Sequence, residues 1–237
     1  MRKKLFLSLL ILYASLTLNA QTIITSDRTV AENAPSVRLS IMGGGGCRLG
    51  KAASNTEAAL ADHAKHTRWG VSYGADASWF FSESLGAGLR YNNLHVGHKT
   101  EVTATYDDGS SRSGLLEDQI NIWFLGPQCS FRLMNATKKN AFYLTYGLGY
   151  MGYHDSAKLI DPYTIKGGTL GYLAEIGYDI GLSKHLAIGA SFSLYNGTLR
   201  NVNITESSGE HRSVSLEKDK YEGLGHLDLA IGLRYML

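Results

Sequence analysis

Four arginines and four carboxylates recur at one phase of alternating segments: Arg38, Arg90, Arg132 and Arg234 with Asp76, Glu175, Asp179 and Asp228. Each stands between apolar neighbours and shares its face with Gly, Ser and other small or polar residues. Groups of this kind must pair when enclosed, because an unpaired buried charge costs several kcal/mol. Two roles are open to them. They plug and rigidify an interior, with Arg90, Arg132, Asp179 and Arg234 near strand ends, or they line a gated polar path for small solutes.

Other chemistry-bearing residues lack the spacing their chemistry needs. His63 and His66, with His95 and His98, have separations that would let them meet at a metal. Neither pair has an anchoring carboxylate at a defined spacing, so no metal is expected. His154-Asp155-Ser156 sets three triad residue types side by side, whereas a triad is recognised by geometry and not by adjacency. No catalytic residue is assigned and no enzyme is expected. Cys47 and Cys129 stand alone, without CxxC or His/Cys spacing, and no cofactor is implied.

The first twenty residues look like a targeting leader. Arg2, Lys3 and Lys4 precede an apolar run from Leu5 to Leu18, and Leu18-Asn19-Ala20 supplies a small exit residue before Gln21. The run is shorter than the roughly 20 residues a spanning helix needs. Three of the 23 Lys+Arg fall in this leader, leaving a near-neutral remainder against 21 Asp+Glu. Nothing in that balance argues for nucleic acid. Residues 21–35 read as a periplasmic N-terminal segment and 36–237 as one barrel domain.

The elements that must position the charges are eight segments of period-2 alternation. They run from Ser36 to Gly45, Arg68 to Phe81, onward from Leu85, Gln119 to Leu133, Ala141 to Tyr153, Thr169 to Leu182, His185 to Tyr195, and Leu224 to Leu237. In the sixth, Leu170, Tyr172, Ala174, Ile176, Tyr178 and Ile180 alternate with Gly171, Glu175, Gly177, Asp179 and Gly181. In the fourth, Ile120 and Ile122 have the opposite parity to Leu125, Cys129 and Phe131. A bulge or change of register is therefore predicted near Phe124 to Pro127.

The connections alternate between long and short. Gly46 to Thr67, His95 to Asp118, His154 to Gly168 and Asn196 to Gly223 are long; Ser82 to Ser84, Met134 to Asn140 and Ser183-Lys184 are short. A transmembrane barrel has long outer loops and tight periplasmic turns, whereas a soluble sandwich has no reason to alternate this way. The 27 Gly and 14 Tyr suit strands with one small face and an aromatic girdle on the other. Val102, Ala104 and Tyr106, followed by Asp107-Asp108-Gly109, predict a hairpin rising above the membrane. The prediction is an all-β, eight-stranded antiparallel transmembrane up-and-down barrel. Its interior is too narrow for an open lumen and is filled by side chains.

The last residues, Ala230-Ile231-Gly232-Leu233-Arg234-Tyr235-Met236-Leu237, resemble the terminal strand read by the barrel-insertion machinery. Gly232, Tyr235 and Leu237 match its glycine, its aromatic and its final hydrophobic residue, although the usual terminal Phe is absent. Phe124-Leu125-Gly126-Pro127-Gln128-Cys129-Ser130-Phe131-Arg132-Leu133 is similar to the fourth strand of the small outer-membrane β-barrel domain family abundant in Bacteroidetes. Leu85-Gly86-Ala87-Gly88-Leu89-Arg90-Tyr91 resembles that family's recurring Gly-x-Gly-aliphatic-Arg-aromatic strand. The resemblance implies a barrel of OmpX/OmpA and OmpW plan, located in the outer membrane after leader cleavage. Its partners would be outer-membrane lipid, lipopolysaccharide and, during biogenesis, the insertion machinery. Asp155-Ser156-Ala157 also resembles the O-glycosylation acceptor used in Bacteroidetes. The expected role is structural or a surface interaction through the loops, with an unknown ligand. A narrow channel and an outer-leaflet lipid-modifying enzyme remain the alternatives.

Overall fold

The computed structural model describes residues 34–50, 67–105, 111–158, 162–217 and 221–237, with backbone alone for 100–105, 111–113 and 115–116. The leader, most of the segment that follows it, His63, His66 and the turn Asp107-Asp108-Gly109 lie outside these residues.

Where apolar and small residues trade places at every step, only an extended strand gives each class its own face. Eight such strands wall a closed antiparallel barrel. They are β1 (Val37–Arg48), β2 (Trp69–Phe80), β3 (Leu85–Thr105), β4 (Ser111–Met134), β5 (Asn140–Lys158), β6 (Pro162–Gly181), β7 (Leu186–Leu199) and, after three short upper elements, β11 (His226–Met236). The wall closes between β1 and β11, paired from Arg38↔Met236 to Arg48↔His226. Closure leaves the wall without a free edge, so its backbone groups find partners in the next strand. At this seam Gly232 faces inward, where a Cβ would run into the Ile41 carbonyl. Only glycine lets the two backbones come so close.

One end of the barrel is trimmed short, and side chains close its turns. Ser82 Oγ accepts the Leu85 N–H at 2.9 Å and Ser183 Oγ accepts the Leu186 N–H at 3.1 Å. In the third turn Asn135 Oδ1 accepts from the N–H groups of Lys139 (3.0 Å) and Asn140 (3.1 Å), and Lys138 takes a φ of 53°.

The opposite end is extended. β3 and β4 stay paired to Thr105↔Ser111, as the sequence predicts, and β5 and β6 to Lys158↔Pro162. The expected linker His154 to Gly168 is therefore mostly ladder. Within Asn196 to Gly223, a hairpin of β8 (Asn201–Glu206) and β9 (His211–Ser215) adds to β6, and β10 (Glu222–Gly223) adds to β7. The result is a sheet in the order β3-β4-β5-β6-β8-β9 standing above the barrel.

The predicted bulge in β4 is not there. β4 keeps one register against β3 from Leu85↔Phe131 to Thr105↔Ser111, and one against β5 from Glu117↔Lys158 to Met134↔Ala141. Gly126 and Pro127 alone drop out of the β5 ladder, and Pro127 has no N–H to give. Ile120, Ile122 and Phe124 consequently face inward on the same side as Gln128 and Arg132. What changes along β4 is the interior, from polar below to apolar above. Among the described residues a bulge lies elsewhere. β6 pairs with β7 up to Gly171↔Gly197 and with β8 from Gly167↔Val202, so Gly168 to Leu170 face the longer Thr198 to Asn201.

Candidate functional site

The trimmed half of the interior is an ionic layer. Arg38 bridges Asp76 (2.8 Å) and Asp179 (3.0 Å); Arg90 bridges Asp76 (2.9 Å) and Glu175; Arg234 lies 3.3 Å from Asp179. Period-2 alternation sends each of these side chains off the same face of its strand, and the barrel brings the faces together. Three guanidiniums and three carboxylates thus form one chain of contacts, all buried. Ser193 Oγ donates at 2.7 Å to Glu175 Oε2, the same oxygen that Arg90 contacts. Shared partners of this kind make desolvated charge tolerable.

Two of the eight predicted charges stand apart from that chain. Arg132 is buried, but its Nε donates to the Glu83 carbonyl (2.7 Å) and its guanidinium lies 3.8 Å from the Phe80 ring centroid. Asp228 accepts from Asn92 Nδ2 (3.0 Å) and Ser72 Oγ, and its nearest ionisable neighbour is His226 at 3.8 Å. Position on the inner face was legible in the sequence. Partnership depends on height in the barrel, which strand tilt and stagger set.

Above the ionic layer the interior is apolar. Leu94, Val96, Ile120, Ile122, Phe124 and Met151 pack with Leu173, Leu199 and Leu224, all nearly inaccessible. Tyr195 joins the two layers. Its ring stacks on His226 (4.8 Å between centroids) and tilts against Phe124 (5.4 Å), while its hydroxyl accepts a hydrogen bond from Arg90 Nε at 3.2 Å. The signal for this plug was present as the reversed parity of Ile120 and Ile122.

The wall separates the remaining candidates. His95 and His98 fall on opposite faces of β3, since an odd spacing in a strand changes side; His95 Nδ1 sits 3.0 Å from Asn121 Oδ1. His154 and Ser156 face outward, 3.4 Å apart, whereas Asp155 faces in and accepts from the Tyr153 hydroxyl at 3.1 Å. These three residues therefore do not converge on one side. Asp155 lies above the apolar outer belt, only 7% exposed, and burial followed by the nearby Asp118 charge pushes its carboxyl up to about 6. At the same mouth Arg48 pairs with Glu222 at 3.0 Å. Cys47 and Cys129 are free thiols, and among the described residues no group of His, Cys, Asp and Glu has the arrangement of a metal site.

Outside, the wall is the reverse of a soluble protein's. Ile41, Val71, Trp79, Leu89, Leu148, Leu170, Ile176 and Leu229 are all at least half exposed and form one belt around the strands. Aromatic residues mark its upper margin, where Trp123 packs 5.2 Å from Tyr150. Tyr235 and Leu237 extend the belt at the trimmed end.

No family model and no curated protein matches the chain. Among solved structures it is similar to a major outer membrane protein from Thermus thermophilus, at 11% identity and a TM-score of 0.50, over 84% of this chain and 99% of that one. The Thermus protein and this chain share a fold. The chain is also similar to Neisserial surface protein A (10% identity, TM-score 0.49, 87% of this chain and 100% of that one). A third likeness is to the outer membrane protease OmpT from Escherichia coli (7% identity, TM-score 0.48, 90% and 100%).

Proposed function

We propose that this chain is a non-enzymatic outer-membrane barrel, closed to solutes, whose working surface is the sheet raised above the lipid. The observation that carries the reading is an interior filled twice over, by the Arg38–Asp76–Arg90–Glu175 ion network and by the apolar plug on Tyr195. A solute path would have to break the buried ion pairs of the first and then displace the packed side chains of the second.

The membrane follows from the outer belt. A contiguous apolar surface of that size is an aggregation hazard in water and a matched surface in lipid. The turns closed by Ser82, Asn135 and Ser183 then lie in the periplasm and the extended sheet outside. Gly232, Tyr235 and Leu237 at the end of β11 would serve the insertion machinery. A surface-interaction role belongs to the upper sheet because recognition concentrates on surface segments held by a rigid scaffold.

Single-channel recording of the refolded protein in planar bilayers tests the reading. The expected trace has no current steps. Reproducible ohmic steps would overturn the closed barrel in favour of a narrow channel.

A further inference from the structure

The bulge between β7 and β8 places two consecutive residues on the outer wall. Leu199 and Val202 are both buried in the interior, so Arg200 and Asn201 between them are both exposed. Arg200 stands at the top of the apolar belt, its guanidinium 5.9 Å from the Tyr221 ring. Beside it opens a cleft of about 490 Å³ lined by Leu170, Tyr172, Asn196, Thr198 and Arg200. At the foot of this cleft Asn196 Nδ2 donates to the Tyr172 hydroxyl at 3.0 Å. Leu170, 75% exposed, stands above that pair and Arg200 above Leu170.

A second cleft of about 420 Å³ lies on the same wall higher up, lined by Lys166, Asn203, Thr205, His211 and Arg212. Register sets Lys166 beside His154 on one side and Asn203 on the other. Cations thus line both clefts, and among the described residues no carboxylate lines either. The belt ends at this height, so a ligand that fills both clefts would present an anionic group above an apolar part.

We propose that the two clefts form one seat for an outer-leaflet lipid with a phosphate-bearing headgroup. Its acyl region lies along Leu170 and Tyr172, and its phosphate is held by Arg200 and Lys166. Guanidinium and ammonium groups bind phosphate through charge-assisted hydrogen bonds. A free phosphate would satisfy the cations but leave Leu170 and the Tyr172 ring without an occupant. The seat rests on the outer-membrane reading above.

The test compares the wild-type protein with the double variant Lys166→Glu/Arg200→Glu. Both are refolded into phosphatidylcholine vesicles, extracted in detergent and titrated in native mass spectrometry with lipid A and with its dephosphorylated form. Wild-type protein should retain the phosphorylated lipid about tenfold better, the value of one charge-assisted hydrogen bond, and the double variant should lose that preference. Inorganic phosphate should not displace the lipid, and Lys158→Glu, an exposed lysine elsewhere on this wall, should leave retention unchanged. Equal retention by wild type and double variant, displacement by inorganic phosphate, or an equal loss in Lys158→Glu overturns the seat. Both substituted side chains are exposed, so folding should persist, and heat-dependent gel mobility checks it. If neither protein enters vesicles, the outer-membrane reading falls and the seat with it; insertion without lipid preference removes the seat alone.

Discussion

Below Tyr195 the barrel interior is held by charge; above it, by apolar contact. The lower layer is directional. Arg38, Arg90 and Arg234 reach carboxylates on other strands at 2.8–3.3 Å; Asp76 and Asp179 each share two of them, and Glu175 depends on Arg90. The upper layer is a matter of volume, in which Leu94, Ile122, Phe124 and Leu199 fill space without a required partner. On the proposed outer-membrane reading, the contrast shows how a lipid-facing wall sorts its side chains. A charge has only one face to choose, since the other meets hydrocarbon. An apolar side chain in lipid gains little from either face, so its direction follows from the register of the strand that carries it.

Substitutions matched to the two layers can break that contrast. Arg90→Met leaves Asp76 and Glu175 short of a counter-charge, and should cost about 3–5 kcal/mol in urea unfolding of vesicle-inserted protein. Arg132→Met is its internal comparison. Arg132 rests on the Phe80 ring and the Glu83 carbonyl and strands no carboxylate, so about 1–2 kcal/mol is expected. Equal losses in the two variants would mean that ion pairing is not what holds the lower layer.

Leu94→Ala probes the plug. It should cost about 2–5 kcal/mol, according to how far Ile122 and Leu224 collapse into the gap. Bilayer current should stay absent, because the ionic layer below is untouched. A conducting Leu94→Ala barrel would show that the plug alone seals the interior.

The smallest effect is expected at the mouth. Asp155 has its carboxyl pushed from 3.8 to about 6 in the folded protein. The folded state therefore holds the proton more tightly than the unfolded one. Its contribution to stability is fully present below about pH 4 and is lost as the pH rises through about 6. Asp155→Asn should flatten the fall in unfolding free energy across that window. An unchanged slope would assign it to another group.

Much of the wall is legible in single residues. Leu170, Tyr172 and Ile176 against Gly171, Glu175 and Gly177 specify β6 and both its faces, because period 2 leaves no other arrangement. The short turns at Ser82, Asn135 and Ser183 are equally plain. The β7–β8 bulge escapes a reading by alternation, though Leu199 and Val202, apolar and three apart with two polar residues between, carry its signal. Of the upper sheet, the β3–β4 hairpin is legible in Val102, Ala104 and Tyr106, whereas His154 to Gly168 reads as a loop because it has too little apolar content to alternate; its ladder there continues the backbone pairing of β5 with β6.

The sequence by itself determined that the chain is a closed barrel with an apolar outside, and that Arg38, Asp76, Arg90, Arg132, Glu175, Asp179, Asp228 and Arg234 face in. Alternation is a local property, and each strand declares it alone. Only the tertiary structure decided which charges meet, that Arg132 and Asp228 stand outside the network, and that Ile120 and Ile122 plug the interior instead of marking a bulge. Those outcomes depend on the height at which eight strands bring their residues together, and stagger between strands is a property no single strand contains.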